Sequence, residues 1–270
     1  MLSITRYSVK NECLAPWIKF IWHFEAEDAN IHYKLLPTDC IDIILNLSNE
    51  IFYEIDSYRI SAPQFHINGL RSKHSYVQQT GNSHIFGISF HPFGLYPFVN
   101  KSLTSIRDTV LDLYELSTTL AQNLKSAILE GETIENIIEN IEQALCFKLQ
   151  VTENSLNKAK LIQNYLEEGN DTMVQSFCRE YEIHPKTFQR NVLHYTGYTP
   201  KILRSLNRFQ KIGNQLVHQK QKQLADVAYN NGFADQAHFT REFRKFSGAP
   251  PCAFQQEKIT VKENVKYTYR

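Results

Sequence analysis

No stretch of this 270-residue chain approaches the ~20 consecutive apolar residues that span a bilayer, so no membrane partner is expected. Arg6, Lys10 and Glu12 precede any long apolar run, which does not read as a secretory signal. The five cysteines, Cys13, Cys40, Cys146, Cys178 and Cys252, include no C-x-x-C pair. They read as reduced thiols of a cytoplasmic protein, not a disulfide framework or zinc site. Ten histidines form no His-x-His or His-x-x-x-His with a nearby acid, so neither a metal nor a cofactor is expected. His66, His74, His84 and His91 read as strand or pocket residues. Serine and cysteine nucleophiles need a positioned base. With no G-x-S-x-G or other nucleophile elbow present, no catalytic residue is assigned and an enzyme is not expected. Low-complexity segments are absent, and the length suits about two domains.

What the chain does have is a repeat. Phe188 matches Phe239, Arg190 matches Arg241, Val192 matches Phe243, Tyr195 matches Phe246, Gly197 matches Gly248 and Pro200 matches Pro251, every pair 51 residues apart. An internal repeat is usually one supersecondary unit used twice. Each copy reads as a short helix, a turn, a second helix, a Gly stop and a Pro, which is the pattern of a helix-turn-helix. The charge is divided accordingly. Residues 152–258 hold 15 Lys+Arg against 10 Asp+Glu, a net +5. Residues 1–151 hold 11 against 17, a net −6, and residues 259–270 add +2. The basic half attracts phosphate without regard to sequence.

In the second copy, Leu224, Val227 and Ala228 form an apolar stripe, Gly232 permits a turn and Asp235 is a candidate N-cap. Phe239, Phe243 and Phe246 then line one helical face, with Thr240, Arg241, Arg244 and Lys245 opposite, His238 at the margin and Gln236 near the start. In the first copy, Val174, Phe177 and Cys178 form the stripe, and Pro185 suits a first helical turn. Phe188, Val192 and Tyr195 face the core, leaving Lys186, Thr187, Gln189, Arg190 and His194 on or beside the outer face. An α-helix fits the major groove, where such side chains read base edges. These eleven outward residues are the candidate contacts to double-stranded DNA. The alternative is that they are solvated faces of ordinary helices. Between the copies, Thr199-Pro200 opens a helix to about Val217, roughly 26 Å long. That is close to the ~34 Å between successive major-groove entries, so one chain is expected to span two grooves.

The run Gly232-Phe233-Ala234-Asp235-Gln236-Ala237-His238-Phe239-Thr240-Arg241-Glu242-Phe243-Arg244-Lys245-Phe246-Ser247-Gly248-Ala249-Pro250-Pro251 resembles the DNA-binding domain of the AraC/XylS family of bacterial transcription regulators. The family pattern there is close to G-F-x-D-x-x-x-F-x-R-x-F-K-x-x-x-G-x-x-P, and only its Lys is changed, to Arg244. The resemblance covers about Leu156 to Gln256. It departs most in the first copy, which has Cys178, Glu182 and His184 where Ala, Gly and Ser are common. The resemblance implies transcription regulation, with RNA polymerase and a second copy of the chain as candidate partners.

Residues 1 to about 110 read as mostly β, with strands at Ile31–Leu36, Cys40–Leu47, Ile51–Ile55, Gln64–Asn68, Ser75–Gln79 and His84–Phe90. That spacing suits a small barrel or sandwich. Trp17, Trp22, Phe24, Phe52, Tyr53, Phe86, Phe90 and Phe93 either fill it or line a pocket for a small, largely apolar effector. Leu36-Pro37-Thr38-Asp39-Cys40 and Gly87-Ile88-Ser89-Phe90-His91-Pro92-Phe93-Gly94 resemble the cupin-like N-terminal domain of one AraC-type branch. From Leu111 to Leu149 the pattern is helical: Leu116, Leu120, Leu124 and Ile128, then Ile134, Ile137, Ile138, Ile141 and Leu145 after a Thr133 cap. These stripes either pack on the protein's own barrel or dimerise the chain.

The expected fold class is α+β: an N-terminal β-rich cupin-like barrel (1–110), a helical connector (111–150), an all-α double helix-turn-helix domain (151–258) and a tail (259–270). The alternative function is a DNA-repair methyl-transfer enzyme with an AraC-type DNA-binding domain. Its like use a zinc-bound cysteine cluster, which the isolated Cys13 and Cys40 do not supply. A third reading is a small-molecule-binding protein with a degenerate DNA domain.

Overall fold

Alternating apolar and polar side chains shape the first 112 residues into strands. The computed structural model describes residues 2–168, 173–218, 223–256 and 265–269. The strands are β1 (Leu2–Tyr7), β2 (Ile18–Leu35), β3 (Ile41–Asn46), β4 (Phe52–Ile55), β5 (Tyr58–Ser61), β6 (Phe65–Asn68), β7 (Ser75–Phe90) and β8 (Val110–Asp112). They pair in the order β8-β6-β3-β7-β2-β1, with β4 also on β7 and β5 on β4. Residues Val265–Tyr269 add β9, parallel to β1 at the sheet's edge. Part of the expected tail is therefore a strand, while residues 259–264 lie outside the described ones.

Two expected strands, Ser75–Gln79 and His84–Phe90, are one. The long β7 runs through Gly81, where its partner β2 carries an irregularity between Ala26 and Ala29. A bulge bends a strand without ending it. The expected Ile31–Leu36 is likewise only the far end of β2, and β1, β5 and β8 were not anticipated.

The period of two gives the sheet two faces. Ile43, Leu45, Ile67, Phe86, Ile88 and Phe90 join the large core, whereas Phe24, Ile44, Tyr53 and Ile85 form a second cluster. On that second side Tyr53 of β4 reaches across to His66 of β6, Oη to Nε2 3.1 Å. The sheet is thus curled about this face. Trp17, Phe86, Phe90 and Phe93, expected either to fill the barrel or to line a pocket, are fully buried in the large core.

A short helix α1 (Tyr96–Val99) and a 3-10 turn (Leu103–Ile106) follow β7. Then come α2 (Leu113–Leu116), α3 (Thr118–Leu129) and α4 (Ile134–Lys148). Thr133 caps α4 by accepting from Asn136 N at 3.2 Å, as its position suggested. Leu116, Leu120, Leu124, Ile128, Ile137, Ile138, Ile141 and Leu145 are all buried in the core that holds the sheet. These stripes are consumed inside the chain and are not free to dimerise it. Glu142 of α4 accepts from the backbone N–H groups of Lys10 and Asn11, both at 3.0 Å, which ties the connector to the segment between β1 and β2.

The remaining helices are α5 (Glu153–Glu167), α6 (Val174–Glu180), α7 (Pro185–Thr196), α8 (Pro200–His218), α9 (Leu224–Asn230), α10 (Gln236–Ser247) and α11 (Pro251–Gln256). Their aromatic core falls into two groups. Tyr165, Phe177 and Phe188 pack under α7, and Phe209, Phe243, Phe246 and Phe254 under α10. Among the described residues no helix is long and apolar enough to cross a membrane.

Candidate nucleic-acid interface

The repeat is reproduced down to single hydrogen bonds. Helices α7 and α10 are each 12 residues long and start 51 residues apart. Phe188, Val192 and Tyr195 in one, and Phe239, Phe243 and Phe246 in the other, are buried as their spacing requires. Each helix ends on a glycine in the left-handed region, Gly197 at φ 78 and Gly248 at φ 74. A residue with a Cβ is strained there. One residue earlier the pairing extends to a residue type that the sequence pattern left out. Thr196 Oγ1 donates to Val192 O at 2.8 Å, and Ser247 Oγ donates to Phe243 O at 2.9 Å. Both hydroxyls also accept from the backbone two residues on, at 3.2 Å. The signal was present as a hydroxyl at both repeat positions, one residue before each glycine.

The turns that aim the two helices differ. Asp235 caps α10 by accepting from His238 N at 2.6 Å, whereas His184 accepts from Lys186 N only at 3.3 Å. Gly232 supplies the positive φ of the second turn, at 73°, and Glu182 takes φ 50 in the first. The turns still close with the same bond, Ile183 N to Cys178 O at 2.9 Å and Phe233 N to Ala228 O at 3.1 Å.

On the outer faces, Lys186, Gln189 and Arg190 of α7 are exposed, as are Gln236, Arg241, Arg244 and Lys245 of α10. Thr187, His194, His238 and Thr240 are half-buried. Thr240 Oγ1 donates back to Gln236 O at 2.8 Å, and His238 sits edge-on to Phe233 with ring centroids 5.3 Å apart. His194 is turned toward Tyr96 of α1, with ring centroids 5.1 Å apart. The connecting helix α8 carries basic residues of unlike fates. Arg204 is buried, stacks 3.6 Å over the Tyr165 ring and donates to Tyr165 O at 2.8 Å. Arg208 lies 4.9 Å over Phe233, and Lys211 is exposed. Arg204 and Arg208 thus pin α8 to the two units by cation–π contact.

Both units also rest on the N-terminal half. Tyr96 stacks on Tyr195 at 4.0 Å, and the buried Tyr198 donates to Leu70 O at 3.1 Å. Burial pushes the Tyr195 hydroxyl up to about 12. A Cβ at Gly197 would lie 2.7 Å from Leu103 O, and one at Gly248 only 2.3 Å from His74 Cε1. The equivalent corner of each unit is therefore seated on the β-rich half, on its 3-10 turn in one case and at the start of β7 in the other. Sequence reasoning missed this docking, since one-residue glycine contacts leave no periodic trace.

Residues 177–257 match the family described as a helix-turn-helix domain. Residues 177–257 form an AraC-type helix-turn-helix domain. Residues 11–112 match a domain of unknown function (DUF6597), which is consistent with a cupin-like fold. The HTH-type transcriptional activator RhaS of Escherichia coli O139:H28 is 28% identical over 102 residues, 36% of this chain and 36% of that protein. The match thus spans about a third of the length of the curated relatives. Among solved structures, ToxT of Vibrio cholerae O395 aligns over 87% of this chain and 95% of that one, with 11% identity and a TM-score of 0.44. The C-terminal domain of AraT from Geobacillus stearothermophilus aligns over 38% of this chain and 85% of that one, with 17% identity and a TM-score of 0.36.

An opening on the β-rich half is lined by Asn49, Glu50, Phe52, Arg59, Gln78, Gln79 and Thr80, with a volume of about 230 Å³. It is open, with polar and charged side chains arranged around Phe52. Ligand pockets usually run to ~300–1,000 Å³ and are mainly apolar.

Proposed function

We propose that this chain is a transcription regulator in which the AraC-type domain reads double-stranded DNA through α7 and α10. The two helices enter successive major grooves on one side of the duplex. The observation that carries this reading is the repeated geometry: equal helices, equal glycine C-caps, and an arginine at the same outward position, Arg190 and Arg241, with α8 between them. At 19 residues α8 is about 28 Å long, against ~34 Å between major-groove entries. Lys186, Gln189, Arg190, Gln236, Arg241, Arg244 and Lys245 make the contacts. Thr187, His238 and Thr240 lie at the margin, and His194 serves the contact with Tyr96. Residues 1–110 form the input domain, 111–150 the connector and 151–258 the DNA-binding part.

Control passes through the seats of Gly197 and Gly248, because a shift of either surface changes how the two reading helices stand to each other. A ligand can bias that arrangement only by binding one state better than the other. The small opening on the β-rich half, where Phe52 lies among polar and charged side chains, is the proposed seat of a small effector. RNA polymerase and a second copy of the chain are the further proposed partners, and the cytoplasm the proposed location. A gel shift of the full chain with promoter DNA beside its own gene tests the reading. The expected result is specific retardation that weakens steeply with salt through counterion release. Equal affinity for random DNA at every salt concentration would overturn it.

A further inference from the structure

Two side chains of β2 and one from far along the chain meet where β2 and β7 pair. The register places Glu25 opposite His84 and His23 opposite Phe86. Residues two apart on a strand share a face. His23, Glu25 and His84 therefore project together, and one ligand atom from each lies within 4.8 Å of the other two. His23 is only 6% exposed, and its Nε2 has no hydrogen-bond partner. A buried polar atom in that state calls for a specific explanation. The His84 ring stands edge-on to it, with centroids 5.2 Å apart. Burial, reinforced by His84, lowers the His23 pKa to about 4. The charge of Glu135, on α4, also acts on His23.

We infer that His23, Glu25 and His84 bind a divalent first-row transition metal ion. Two imidazoles and a carboxylate suit zinc and its neighbours and leave a coordination position open. With Zn–N near 2.0–2.1 Å, tetrahedral donors stand roughly 3.4 Å apart. The present separations, all within 4.8 Å, must therefore close toward that value when the ion binds. The open position takes water, or Glu135 reaching from the connector, and in that case the ion joins the sheet to α4. No local sequence pattern announces such a site, because His84 arrives from a neighbouring strand.

The test is zinc titration of the tag-free, chelator-treated full chain, read by calorimetry and by thermal melting, with cobalt absorption reporting the coordination. One equivalent is expected to bind and to raise Tm. His84→Gln and Glu25→Gln, both outside the fully buried core, are each expected to weaken binding about tenfold or more and to remove the Tm rise. Their circular dichroism should match the parent. Cys13→Ser is expected to change nothing. The inference fails if no stoichiometric binding occurs, or if both variants bind as the parent does. It fails equally if Cys13→Ser abolishes binding, since the ion would then sit on the thiols of Cys13 and Cys146, whose sulfurs are 3.3 Å apart.

Discussion

The two helix-turn-helix units share a helix length, a C-cap and a core pattern, yet they begin differently. In the second, Asp235 holds the N-terminus of α10 with a 2.6 Å bond, and a glycine takes the positive-φ turn. In the first, a histidine makes a 3.3 Å bond and Glu182 occupies φ 50. Both turns nevertheless close with the same backbone bond. The contrast shows that burial of the aromatic face and the glycine stop fix the unit, while its leading turn tolerates poorer local chemistry. A cap contributes about 1 kcal/mol. A buried phenylalanine contributes several times that.

Removing the aromatic anchors should produce the largest effect. Phe188 and Phe239 are both fully buried, so Phe188→Ala and Phe239→Ala should each lower stability by about 3–5 kcal/mol in denaturant melts. A loss under 1 kcal/mol at either site would mean that the two cores are not equivalent. The glycine seats come next. Gly197→Ala meets the carbonyl of Leu103, which belongs to the backbone, whereas Gly248→Ala meets the side chain of His74, which can turn away. Both should lose about 1–3 kcal/mol from the left-handed conformation, with Gly197→Ala the worse. Adding His74→Ala should restore part of the Gly248→Ala loss and none of the other.

Smaller effects separate the leading turns. Asp235→Ala should lose about 1 kcal/mol and His184→Ala only a few tenths. Calorimetric melting of the two variants side by side checks this, and equal losses would show that the longer His184 bond caps just as well. Glu182→Gly should raise stability by about 0.5 kcal/mol, since relief of left-handed strain outweighs the added freedom of the unfolded chain. A lower Tm for that variant would place the advantage of Glu182 elsewhere than in the backbone.

The legible parts of this molecule were those encoded by local periodicity. The 51-residue offset, the buried Phe239-Phe243-Phe246 face, the Asp235 and Thr133 caps and the extent of α8 could all be read from spacing alone. Pairing across strands could not. Gly81-Asn82 reads as a turn in any single sequence, and only the irregularity in β2 opposite lets β7 continue through it. The meeting of His23, Glu25 and His84 depends on that same register. Arg204 reads as one more basic residue on a helix, but Tyr165 from α5 supplies both a ring and a carbonyl that draw it inside. Whether the α3 and α4 stripes faced the chain itself or a second copy was equally beyond local pattern, because the sheet they cover is assembled from strands distant in sequence.

Both units are expected to engage DNA despite the weaker start of the first. Footprinting of the full chain on its operator, beside Arg190→Ala and Arg241→Ala, tests this most directly. Two protected clusters about 10–10.5 base pairs apart are expected. Each substitution should erode its own cluster and weaken binding by about 1–3 kcal/mol at fixed salt, with Arg241→Ala the larger. A single cluster that survives Arg190→Ala unchanged would contradict it, leaving α7 as a structural echo of α10.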